Sequence, residues 1–162
     1  MIPNKIQQIK NEIGDRKLII VSKKRSLSEI MHAYNTGHRD FGENRVQDLI
    51  DKYQNLPKDI KWHMIGHLQK NKVKYIIPFI HLIHSVDSLE LLEWINKISH
   101  KKNKKTNCLI QMKIAEENTK FGLSKSLTEK FMLSNYKSNY PFINIKGLMG
   151  MATATDNKEK IK

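Results

Sequence analysis

The feature that most constrains this chain is an unbroken alternation of strand-like and helix-like segments between Leu18 and Met151. Six short apolar runs read as strands: "LIIVS" (18–22), "RDFG" (39–42), "IKWHMIG" (60–66), "IHLIHSV" (80–86), "NCLIQMKI" (107–114) and "INIKGLMGM" (143–151). Between them lie helical patterns. "SLSEIMHAYNTG" has Ser26 or Ser28 as its cap and Gly37 at its end, and "ENRVQDLIDKYQ" carries Val46, Leu49, Ile50 and Tyr53 on one face. "QKNKVKYIIP" stops at Pro78, and "SLELLEWINKISHKK" and "SKSLTEKFMLSNYKSN" complete the set. A short amphipathic helix over 3–14, with Ile6, Ile9 and Ile13 at helical spacing, precedes the first strand. Strands separated by helices build a parallel sheet covered by helices, hence an α/β domain.

Two parallel architectures compete, an open doubly wound sheet and a (β/α)8 barrel. The first strand runs into "SKKRSLSE", without the glycines that bring a dinucleotide against a helix N-terminus. No P-loop occurs either, so a TIM-type (β/α)8 barrel is the expected fold. Such barrels take about 250 residues, whereas this chain has 162. The sequence therefore predicts one incomplete barrel domain with about six of eight strands. It comprises an N-terminal helix (1–16), βα units (17–151) and a truncated tail (152–162).

Composition narrows the function. The formal charge of +13 invites nucleic acid, but it is built from 25 lysines and only 4 arginines, alongside 21 isoleucines and 14 asparagines. Nucleic-acid surfaces favour arginine forks, and the densest basic run, "HKKNKK" (100–105), falls where a solvated loop is expected. A basic nucleic-acid-binding module is accordingly a minor alternative. Cys108 is the sole cysteine and sits in an apolar run, as a small buried hydrophobe does. No run approaches the length of a membrane span, and a cytoplasmic location is expected, with no membrane partner.

In a parallel barrel the working residues lie at the C-terminal ends of the strands. Those positions hold Ser22 and Lys23; Gly42, Glu43 and Asn44; His63, Gly66 and His67; Ser85 and Asp87; Glu116, Glu117 and Asn118; and Met149 and Gly150. Lys23 is the one lysine that directly ends a strong apolar strand. A neutral amine there can attack an aldehyde to form a Schiff base, and cationic neighbours Lys24 and Arg25, with partial burial, favour the neutral form. The pairs His63/His67 and His81/His84 have helix-type ligand spacing but lie largely in strands, so no metal site is expected.

Together, "VSK" (21–23), "FGENRVQD" (41–48), "WHMIGHLQKNK" (62–72), "IQMKIAEENTKFGL" (110–123) and "KGLMGM" (146–151) resemble, in order and spacing, the pyridoxal phosphate homeostasis protein family of the YggS type. Its barrel is similar to that of alanine racemase. The resemblance implies pyridoxal 5′-phosphate (PLP) as cofactor, held as an aldimine on Lys23. Asn44 matches a pocket residue, and His63 and Met149 match strand ends facing the same opening. It implies a carrier or buffer of the cofactor inside the cell that is not an enzyme and contacts PLP-dependent enzymes transiently. A PLP-dependent racemase is the alternative. Where the family often continues with threonine, lysine and proline, this chain has Lys24, Arg25 and Ser26, which predicts a looser loop. The family's phosphate-holding loops follow two further strands, so weak PLP retention is expected of these residues.

Overall fold

The computed structural model describes residues 2–115 and 121–153. Helix α1 (Ile2–Ile13) leads into β1 (Ile20–Val21), α2 (Leu27–Tyr34), β2 (Asp40–Glu43), α3 (Val46–Asn55) and β3 (Lys61–Met64). A 3₁₀ turn (Lys70–Lys72) and the one-turn α4 (Val73–Ile76) precede β4 (Leu82–Val86), α5 (Leu89–Lys101) and β5 (Thr106–Met112). Then come α6 (Lys125–Leu133), α7 (Tyr136–Asn139) and β6 (Ile143–Gly150). The strands form one parallel sheet in the order β1-β2-β3-β4-β5-β6. A doubly wound sheet reverses its strand order partway. This one never does, which is the winding of a barrel.

The core lies between sheet and helices. Phe41, Trp62, Ile83, Cys108 and Ile110 on the outer face of the strands meet Leu49, Ile76, Leu92 and Ile95 from the helices. Burial pushes the Cys108 thiol up, so it packs as the inert apolar group expected of it. Strand-to-strand register decides which residues look inward. Thr106 binds Ser99 on α5 through their hydroxyls (2.7 Å), so Thr106, Cys108 and Ile110 face the helices. Asn107, Leu109 and Gln111 face the barrel interior instead. Between Ile145 and Gly147 a bulge inserts Lys146, with Gly147 at φ 149°, and the phase of β6 shifts. Met149 therefore pairs with Gln111 on the interior face, while Leu148 pairs with Ile110 on the outer one.

Three local details differ from the sequence reading. The helix expected over 69–78 is a 3₁₀ turn plus a single α-turn, where Lys70 is drawn to Glu90 (2.7 Å) and only Val73, Ile76 and Ile77 reach the core. The basic run is not wholly solvated: Lys104 folds back so that its Nζ donates to Pro78 O (3.0 Å) and Ile80 O (3.3 Å). The loop after Lys23 is tighter than expected, because Ser26 takes over the starting role that a proline would play. Its hydroxyl accepts from Glu29 N while Glu29 bonds back to Ser26 N, a complete capping box.

Within the described residues β1 and β6 each pair on one side only. Val21 (48% exposed) and Leu148 (51%) stand uncovered on these edges. A groove of about 520 Å³ lined by Ile6, Ile9, Leu18, Ile20 and Ile30 runs along β1 between α1 and α2. No helix among the described residues is long and apolar enough to cross a membrane.

Candidate functional site

The turn that carries Lys23 is built from buried polar contacts. Ser22 N donates to Gly42 O (2.9 Å), continuing the β1–β2 ladder one residue past β1. Ser22 O then accepts from Arg25 N (3.0 Å), closing a β-turn with Lys23 and Lys24 at its corners and Lys24 at φ 59°. Behind the turn, Lys52 on α3 reaches through the wall. Its Nζ donates to Ser22 O (2.8 Å) and to Glu43 Oε1 (2.6 Å), and the Ser22 hydroxyl donates to that same carboxylate oxygen (2.6 Å). Glu43 is fully buried and its Oε2 has no partner among the described residues. The backbone of Ser22 is thereby tied to β2 and α3 at once, and Lys23 projects from a fixed base.

Lys23 itself is exposed rather than half-buried, and no carboxylate pairs with it among the described residues. Asn44 follows β2 directly, on the neighbouring strand end, and is half-buried. The loop after β3 packs hard onto it: a Cβ on Gly66 would lie 2.3 Å from Asn44 O and 2.7 Å from Asn44 Cα, so only glycine fits. The rim continues around the opening. Ser85 Oγ donates to Gly66 O (2.6 Å), and His67 Nδ1 lies 2.8 Å from Asp87 Oδ2. His67 stacks on Phe121 (centroids 4.3 Å), whose carbonyl accepts from Gln111 Nε2 (3.0 Å). Met149 stands beside Gln111 on the interior face. Glu116, Glu117 and Asn118 lie outside the described residues.

His63 sits one layer lower. It pairs with Gly42, which pairs with Val21, so it is two residues below the level of Asn44. Its buried ring has Nε2 3.0 Å from Asp40 Oδ1 and Nδ1 2.9 Å from His84 Nε2. Burial pushes both His63 and His84 down to about 4, so both imidazoles are neutral at pH 7. His81, just before β4, packs edge-on against His63 (centroids 5.2 Å). Sequence spacing separated these histidines; parallel register brings them together with Asp40.

The mouth thus offers an accessible amine on a rigid turn, an amide and a glycine-lined approach. An accessible primary amine of this kind can react with an aldehyde. The strand winding and this site define the greater part of a (β/α)8 barrel of the PLP-binding class. Residues 2–162 match the family of the alanine racemase N-terminal domain, and the chain belongs to that family.

Curated relatives named pyridoxal phosphate homeostasis protein include one from Pasteurella multocida, 32% identical over 161 residues, with 96% of this chain and 67% of that protein aligned. Another, from Aquifex aeolicus, is 37% identical over 148 residues and covers 90% and 64%. The chain spans about 59–67% of the length of the first such relatives. Among solved structures, PipY of Synechococcus elongatus without PLP superposes with a TM-score of 0.91 at 30% identity, over 99% of this chain and 75% of that one. The same protein with PLP bound gives 0.87 at 28% identity, with the same coverage. Alanine racemase from Bartonella henselae, at 17% identity and a TM-score of 0.72, covers 92% of this chain and 42% of its own length and shares the fold.

Proposed function

We propose that this chain is the cofactor-carrying part of a cytoplasmic pyridoxal phosphate homeostasis protein. It binds PLP at the strand-end opening with the Lys23 amine as covalent anchor, and it turns over no substrate of its own. The observation that carries this reading is the fixed Ser22–Arg25 turn, which presents Lys23 with no competing carboxylate among the described residues. The name shared by the curated relatives and the PLP held by PipY support it.

Bound PLP supplies an aldehyde for capture and, in enzymes, an electron sink. Here the protein's own residues do the holding. Lys23 provides the nucleophile, and Asn44 and Met149 line the opening. His63 and His84, neutral and hydrogen-bonded to each other, form the floor beneath. The phosphate has no comparable cradle among the described residues: the nearest helix start, at α2, is already capped by Ser26 and occupied by the Glu29 carboxylate. Weak retention follows, as suits a carrier that hands its cofactor to PLP-dependent enzymes in transient contacts.

Titration with PLP tests the reading. Wild-type chain is expected to show a saturable spectral change that Lys23→Ala loses, and L-alanine incubated with the PLP-loaded chain is expected to keep its optical activity. A racemase requires a second acid/base group facing the cofactor lysine, and the carboxylate described on the rim, Asp87, is engaged with His67 (2.8 Å). Sustained loss of optical activity would overturn the non-catalytic reading.

A further inference from the structure

Toward the N-terminal ends of the strands lies a second cluster, which shares only His63 with the floor of the proposed PLP site. Asp40 opens β2, His63 lies in β3 and His81 immediately precedes β4, so three adjacent strands each contribute one residue. One ligand atom from each falls within 4.8 Å of the other two. We propose that Asp40, His63 and His81 form a zinc(II) site, with a fourth position open to water.

The chemistry favours a borderline transition metal. Two imidazoles and one carboxylate are a frequent zinc donor set, while magnesium and calcium prefer oxygen alone. Tetrahedral bonds of about 2.1 Å place ligand atoms about 3.4 Å apart, so the cluster is one small side-chain adjustment from a bound geometry. His81 is free to make that adjustment, because neither of its ring nitrogens has a hydrogen-bond partner among the described residues. His63 Nε2 now shares a hydrogen bond with Asp40 Oδ1 (3.0 Å), a contact the ion would replace. With Nε2 on the metal, its Nδ1–H donates to His84 Nε2 at 2.9 Å, the outer contact that fixes a coordinating histidine. The competing cation is Lys17, whose Nζ lies 3.6 Å from Asp40 Oδ1 on a side chain 57% exposed and free to swing into solvent. Such an ion would clamp the lower ends of β2, β3 and β4, on the opposite side of the barrel from Lys23.

The test is titration of zinc(II) into chelator-treated full chain, read by calorimetry and by thermal melting. Asp40→Asn and His81→Ala serve as variants because both positions are only half-buried, whereas His63→Ala removes a fully buried ring and can unfold the chain. One zinc per chain is expected, with affinity reduced about tenfold or more in each variant. Zinc is also expected to raise the melting temperature of wild type and not of the variants. Lys17→Ala is expected to bind zinc more tightly. Absence of a saturable single site, or equal affinity in wild type and both variants, would overturn the proposal.

Discussion

Lys52→Met is expected to destabilise the chain by about 3–5 kcal/mol, the range for breaking a buried ion pair from one side. The lysine side chain is only 10% exposed, and its partner Glu43 is entirely enclosed. Methionine matches the lysine stem in volume, so packing changes little. What remains is a buried carboxylate whose Oε2 is already unpartnered and whose Oε1 keeps only the Ser22 hydroxyl. The outer Lys70–Glu90 pair, at 2.7 Å against 2.6 Å, has both side chains more than half exposed, and Lys70→Met is expected to change stability by about 1 kcal/mol or less.

Urea denaturation of the two variants measures the contrast. Adding Glu43→Gln to Lys52→Met removes the stranded charge and is expected to recover part of the loss, with a coupling of about 0.5–3 kcal/mol. Equal stability of Lys52→Met and wild type would show that the pair carries no structural role. Ser22 O also loses its ammonium donor in this variant, and on the proposed function PLP capture is expected to fall beyond what the stability loss alone removes.

Gly66→Ala has the second largest expected effect. Its added Cβ would lie 2.3 Å from Asn44 O and 2.9 Å from Asn44 C. These are backbone atoms that cannot rotate away, so the loop after β3 or the one after β2 must move. Overpacking of this kind costs about 1–3 kcal/mol. The displacement falls on Asn44 and, through Ser85 Oγ and Gly66 O, on the end of β4. Gly37→Ala is the informative comparison, since a Cβ there meets nothing within 4 Å and only its φ of 83° resists substitution. A crystal structure of Gly66→Ala with both loops unmoved would contradict this assignment.

The order of elements was legible because each relied on local signals: apolar runs for the strands, a serine at 26 or 28 as cap, which the structure resolves to Ser26, and Gly37 after α2. The position of Lys23 just beyond β1 was legible for the same reason, as a polar residue at the end of an apolar run. The support beneath it was less visible. Lys52 follows Leu49 by three positions and therefore sits on the buried stripe of α3, a signal that a lysine there needs a buried partner. Which partner depended on β2 lying against α3, a tertiary fact. The Asp40, His63 and His81 cluster was out of reach, because residues 40, 63 and 81 meet only through the pairing of Asp40 with Lys61 and of His63 with Leu82. The inward turn of Met149 rests on the bulge at Lys146, and a single inserted residue reverses the face of everything after it.

The central claim is that Lys23 holds the cofactor, and the direct measurement is to mix the chain with PLP, reduce with borohydride and map the adducts by mass spectrometry. A dominant adduct on Lys23, absent from Lys23→Ala and diminished in Lys52→Met, is the expected result. Adducts scattered over the 25 lysines, unchanged in pattern at the other positions and no stronger at residue 23, would contradict it.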